Sequence, residues 1–191
     1  MKDNNKHVVC PLAMAGMLDS KLRRLLHNPT KILEKYITKN ITILDIGCGP
    51  GVFSIEAAKL MEGTGKVIAV DMQEGMLEIL RNKIKGQPYE KNIVLHKCTQ
   101  ESINLKEKAD LVLMIYMVHE VPNKENLFNE ITPLINKNGL LLIVEHNFVP
   151  KKEFNKMVYA IKEKGFTEHS QLKVAFSRGI VLKKSINNRT F

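Results

Sequence analysis

Five short apolar runs recur along the chain with helical patterns between them. They are ITILDI (41–46), KVIAVD (66–71), NIVLHK (92–97), ADLVLMIY (109–116) and GLLLIVEH (139–146). Most are continuously apolar rather than alternating, as expected of strands buried on both faces of a parallel sheet. The helical stretches fall at 52–62, 73–85, 124–135 and 151–164. Such alternation constrains the fold to the α/β class, a doubly wound sheet with helices on both faces. The C-terminal stretch FTEHSQLKVAFSRGIVLKK leaves no room for another crossover helix. It reads as two strands joined tightly near Ser177–Gly179, which makes the last strand antiparallel and brings the sheet to seven strands, most of them parallel.

Local signals set the expected boundaries. Asn28 and Pro29 place a cap residue before a first-turn proline and open a helix near 29–39. Pro122 and Asn123 open the helix after the fourth strand. Gly139 is expected to end that helix, and Gly165 the next one. Residues 1–28 precede the sheet as an edge or lid segment with a short amphipathic helix at MLDSKLRRLLH, and residues 29–191 form the main domain.

With 44% hydrophobic and 26% charged residues, the chain has the balance of a soluble globular domain. No apolar run approaches the ~18 residues of a membrane span, and the N-terminus lacks a signal-peptide pattern, so a cytoplasmic location is expected. Cys10, Cys48 and Cys98 are odd in number and widely spaced, which makes neither a disulfide framework nor a zinc pattern; no metal is expected. The net charge of +9 raises the question of nucleic acid. The lysines are spread along the chain, which favours a solvated basic surface while leaving anionic substrates and RNA open.

The stretch ILDIGCGPGVFSIEAA (43–58) identifies the site. Ligands of open α/β sheets bind beyond the carboxyl ends of the strands. Glycines at 47, 49 and 51 bare the backbone there, ahead of a helix N-terminus. A dinucleotide fingerprint would be G-x-G-x-x-G/A; here Pro50 is inserted and Val52 replaces the last small residue. Asp45, two residues before the first glycine, would repel a pyrophosphate and suits a cationic group. Asp71 ends the second strand, where a carboxylate accepts hydrogen bonds from ribose hydroxyls. The pair describes a nucleoside with a positively charged, non-phosphate tail.

ILDIGCGPG resembles the first motif of class I S-adenosylmethionine-dependent methyltransferases. KVIAVDMQEGML is similar to the family's second strand with its acidic ribose ligand. ADLVLMIYMVHEV and LFNEITPLINKNGLLLIVEHN resemble the fourth and fifth strand regions of its small-molecule branch, which includes quinone and arsenite methyltransferases. The resemblance covers about residues 30–147. It implies a Rossmann-like fold with S-adenosylmethionine as cofactor and S-adenosylhomocysteine as its product. By this resemblance Asp45, Gly47, Cys48, Gly49 and Gly51 hold the methionine part, Asp71 the ribose, and Met72 packs on the adenine. The loop after strand three departs from the family in reading KCTQES, where an Asp is usual; Thr99 or Gln100 then stands in.

Methyl transfer from a sulfonium is an in-line displacement that needs positioning and a dry pocket, with a base only when the acceptor loses a proton. Candidates lie at the ends of strands four and five: Tyr116, also placed at the cofactor, His119 and His146. Met117, with Cys10, Met14 and Met17 from the N-terminal segment, forms the expected soft lining of an acceptor pocket. The chain lacks the Asn/Asp-Pro-Pro-Tyr/Phe run of base and amide amino-methylating enzymes and the Pro-Cys of RNA C5 enzymes. A small-molecule acceptor is the leading expectation. An RNA or protein methyltransferase, and a catalytically silent cofactor-binding protein of the same fold, are the alternatives.

Overall fold

The computed structural model describes Pro11 and residues 27–185. Cys10, Met14, Met17 and nearly all of the N-terminal segment therefore lie outside the described residues. The elements are α1 (Pro29–Leu33), β1 (Thr42–Ile46), α2 (Val52–Leu60), β2 (Lys66–Asp71), α3 (Glu74–Ile84), β3 (Ile93–Lys97), β4 (Ala109–Ile115), α4 (Lys124–Leu134), β5 (Ile135–His146), α5 (Lys151–Lys162), β6 (Phe166–Leu172) and β7 (Ser177–Lys184). The seven strands form one sheet in the order β3-β2-β1-β4-β5-β7-β6. Pairing is parallel from β3 through β5. β7 runs antiparallel to both β5 and β6, as the shortness of the C-terminal stretch requires.

Strand periodicity divides the core into two layers. Leu44, Ile46, Ile68 and Val70 face α4 and α5 through Phe128, Ile131, Phe154 and Ile161. Ile43, Val67 and Ala69 face α1, α2 and α3 through Leu33, Ala57, Ala58, Leu77 and Leu80. Each of these leucine, isoleucine, valine and phenylalanine side chains contributes about 1.5–3 kcal/mol by leaving water. Burial on both faces explains why the strands read as unbroken apolar runs.

Three expected boundaries move. α1 spans only five residues; the Asn28 side chain caps it by accepting from the Lys31 N–H, but the chain turns back over Leu33–Ile37 to enter β1. Gly139 does not end α4. That helix stops at Leu134, one residue after Pro133, and the Lys184 ammonium donates to the Thr132 and Ile135 carbonyls at 2.6 and 2.7 Å. Residues 136–139 form an irregularity in β5 opposite Asp110, and Asn138, not Gly139, takes the left-handed conformation. The β6–β7 connection occupies 173–176 rather than Ser177–Gly179, because Ser177–Gly179 pair with both neighbouring strands or with β5.

Gly51 shows what the glycine run costs to change. Its φ is +82°, and a Cβ there would lie 2.2 Å from Leu80 Cδ1 in the buried face of α3. Gly51→Ala is expected to destabilise the domain by about 2–4 kcal/mol, combining left-handed strain with overpacking. Gly86→Ala, equally left-handed but facing open space, should cost only about 1–2 kcal/mol. Urea unfolding of the two variants checks the difference.

Candidate active site

A cavity of about 610 Å³ opens at the carboxyl ends of the parallel strands. Its floor is the β1–α2 loop. The Gly47 and Cys48 N–H groups donate to the Val70 carbonyl, and the Gly51 N–H donates to the Cys48 carbonyl, which curls the loop tightly. The Gly49 N–H donates to Asp71 Oδ2 at 2.8 Å, and the Gln73 N–H donates to Asp71 Oδ1 at 2.8 Å. Both oxygens of that carboxylate are thus fixed by backbone at the end of β2. A Cβ on Gly49 would touch nothing within 4 Å, so the loop meets open space at that residue.

Asp45 lies behind the loop at 2% exposure and accepts a 2.5 Å hydrogen bond from Ser54 Oγ in the first turn of α2. Burial raises its pKa to about 6, against the lowering effect of the Ser54 bond; the Asp71 charge adds to the rise. Burial raises Asp71 too, opposed by the backbone N–H groups of Gln73 and Gly49. Two carboxylates held above their ordinary range beside one cavity form a site that gains from a cationic guest.

The far wall comes from the ends of β4 and β5. Tyr116 follows β4 with φ +59°, and its N–H still donates to the Val144 carbonyl. Its hydroxyl meets His27 Nδ1, and Ser177 Oγ at 3.0 Å. Its ring stacks on His146 with centroids 4.0 Å apart, and His146 in turn stacks on Phe148 at 5.0 Å. His119 sits on the short 3₁₀ turn Val118–Glu120. Its Nδ1 is 2.6 Å from Glu145 Oε2, and its backbone N–H donates to Glu145 Oε1 at 3.1 Å. The Glu145 hydrogen bond raises the His119 pKa, against partial desolvation; the Glu145 and Glu120 charges raise it further and Lys124 lowers it. The folded state therefore favours the imidazolium. This stabilises the fold fully below the unfolded-state pKa and fades as pH rises through the folded one.

Asp45, Gly47, Cys48, Gly49, Asp71, Met72, Thr99, Gln100, Tyr116, Met117, His119 and His146 all line this one cavity. Gly51 does not; it is spent on packing against Leu80. Thr99 is tied into its own loop, its Oγ1 accepting from the Ser102 N–H at 3.0 Å. Sequence reasoning gave Glu145 no role of its own and passed over His27 and Phe148. Glu145 had a signal, a lone carboxylate inside the apolar run LLLIVEH; His27 and Phe148 had none, since only folding brings them to Tyr116 and His146. Among the described residues no group of three or more His, Cys, Asp or Glu side chains could hold a metal ion.

A family model described as a methyltransferase domain matches residues 37–184. The chain belongs to that family. A ribosomal protein L11 methyltransferase from Alkaliphilus oremlandii is 34% identical over 110 residues, which is 58% of this chain and 33% of that protein. A demethylmenaquinone methyltransferase from Lactobacillus johnsonii is 29% identical over 103 residues, 53% of this chain and 42% of that protein. The chain thus spans a third to under a half of these relatives. The crystal structure of a SAM-dependent methyltransferase from Aquifex aeolicus superposes with a TM-score of 0.81 at 21% identity, covering 92% of this chain and 99% of that one. That likeness establishes the Rossmann-like methyltransferase fold.

The fold implies S-adenosylmethionine, and the residues present fit it. Asp71 offers a backbone-fixed carboxylate at the end of β2. The loop is open at Gly49, and Asp45 supplies negative charge behind it.

The raised Asp45 has a measurable consequence. Its folded state binds more protons than the unfolded chain between about pH 4 and 6, so its burial costs stability as pH rises through that window. Asp45→Asn should remove that part of the pH dependence of unfolding, an effect on the order of 3 kcal/mol. Ser54→Ala should move the Asp45 titration, followed by carboxyl ¹³C NMR, above pH 6.

Proposed function

We propose that the chain is an S-adenosylmethionine-dependent methyltransferase acting on a small-molecule acceptor. The observation that carries the reading is the Asp71 carboxylate, gripped through both oxygens by the Gly49 and Gln73 N–H groups beneath the cavity. Each oxygen keeps a lone pair for a ribose hydroxyl. S-adenosylmethionine would supply an activated methyl group on a sulfonium. The chain's own groups do the rest. Asp71 orients the nucleoside, the Gly47–Gly49 backbone lies along the methionine part, and Met72 packs on the adenine. Gln100, or Thr99 beyond its loop bond, meets the adenine edge. The Tyr116–His146–Phe148 stack and Met117 form an acceptor wall that keeps water away from the transfer.

A cavity of about 610 Å³ has room for a nucleoside cofactor and a small acceptor together. The similarity to a demethylmenaquinone methyltransferase supports a small-molecule acceptor. A second reading, a protein acceptor, is favoured by the similarity to ribosomal protein L11 methyltransferases and the net charge of +9.

Calorimetric titration with S-adenosylhomocysteine is expected to show micromolar binding. Asp71→Ala should weaken it by about 100-fold, the worth of two charge-assisted hydrogen bonds, and NAD should not bind. Failure of well-folded protein to bind the nucleoside would overturn the reading. Salt-sensitive methyl incorporation into ribosomal protein, with none into small acceptors, would promote the second one.

A further inference from the structure

The Glu145 side chain is the one acidic group in β5, buried at 1% exposure, and it holds His119 twice: one oxygen meets Nδ1 and the other accepts the backbone N–H. Glu145 belongs to a strand register, paired with Arg178 across β5 and β7, and cannot drift. His119 belongs to a turn. The strand carboxylate therefore fixes the turn, the ring plane and the tautomer of the imidazole together.

With the Nδ1 hydrogen committed to Glu145, the neutral ring carries its lone pair on Nε2. The nearest acidic atom to Nε2 is Glu120 Oε1 at 3.9 Å, beyond hydrogen-bond length. The ring is held from the sides by Phe148, edge-on at 5.4 Å, and His146 at 6.5 Å. His119 is partly exposed and lines the cavity. The charged groups around it are Glu145 from β5, Glu120 from its own turn and Lys124 from α4. The two carboxylates outweigh the lysine, so the ring favours taking up a proton.

We propose that Glu145 is a positioning residue that holds His119 as the proton acceptor of the site, and that the acceptor molecule is therefore one whose nucleophilic atom carries a proton at neutral pH. This rests on the methyltransferase reading above. The balance is one proton. The acceptor's X–H bond breaks and its proton goes to Nε2; the X–C bond forms as the donor's S–C bond breaks with its electron pair passing to sulfur; the proton then leaves His119 for solvent. Acceptors already ionised at neutral pH need no such device. Hydroxyl groups on conjugated rings do, and the aromatic side chains of Tyr116, His146 and Phe148 line the same cavity beside His119.

The test begins with imidazole ¹⁵N NMR on the wild-type chain. Above its midpoint His119 is expected to carry hydrogen on Nδ1, and the midpoint should lie above the ordinary imidazole value. In Glu145→Gln the midpoint should fall by about one pH unit or more. A proton on Nε2, or a midpoint indifferent to Glu145→Gln, would overturn the positioning role. The second arm uses 4-nitrophenol on protein loaded with S-adenosylhomocysteine, at a pH below the ionisation of the free phenol. Phenolate absorbance of the bound probe is expected in the wild type and should drop about 10-fold or more in His119→Gln. Equal phenolate in both, or none in the wild type, would overturn the base assignment. S-adenosylhomocysteine titration of the wild type separates the two levels. Lost nucleoside binding strikes the methyltransferase reading, whereas intact binding with a failed NMR or phenolate result strikes this proposal alone.

Discussion

The site depends on one carboxylate. Asp71 ends β2, and its two oxygens tie the β1–α2 loop at Gly49 to the start of α3 at Gln73. The loop itself hangs from Val70, the neighbouring residue of the same strand, through the Gly47 and Cys48 N–H groups. Two parallel strands and the two helices that follow them thus converge on a pair of adjacent residues. A buried carboxylate is costly unless hydrogen-bonded, and here the backbone offsets part of that cost while leaving the outer lone pairs for a guest. The loop must be bare for this to work, since a side chain at Gly47 would meet Met117 and one at Gly51 would meet Leu80.

The opposite wall follows a different rule. Around Asp71 the polar partners are mostly backbone groups. At the ends of β4 and β5 they are side chains: His119 on Glu145, Tyr116 on His27 and Ser177, His146 between Tyr116 and Phe148. A backbone cradle reads a common nucleoside and varies little with side-chain identity. A side-chain wall is where acceptor choice can be written. That division fits the names borne by proteins similar to this chain, which include a demethylmenaquinone methyltransferase and a ribosomal protein L11 methyltransferase.

Much of this was legible beforehand. The continuous apolar runs gave the parallel strands, because a strand covered on both faces has no polar side to show. Gly47 and Gly49 with Asp45 and Asp71 marked the cavity floor, since spacing within one loop and one strand end is fixed by the chain itself. Local rules failed where a distant residue intervened. Gly139 read as a helix stop, but Pro133 and the Lys184 ammonium end α4 five residues earlier. Gly51 read as a ligand contact, but α3 brings Leu80 against it. Cys10, Met14 and Met17 lie outside the described residues.

By itself, the sequence determined the α/β class, the strand and helix order, the bare loop and the two acidic residues that flank it, because each follows from periodicity or from neighbours a few residues apart. Only the tertiary structure decided which partner each polar side chain would have. Glu145 and His119 are separated by 26 residues, and Tyr116 and His27 by 89. Their meeting is set by the parallel register of β4 against β5 and by the place of His27, just before α1, against Tyr116. No spacing within the sequence encodes that distance, and it is that distance that turns a histidine on a turn into an oriented one.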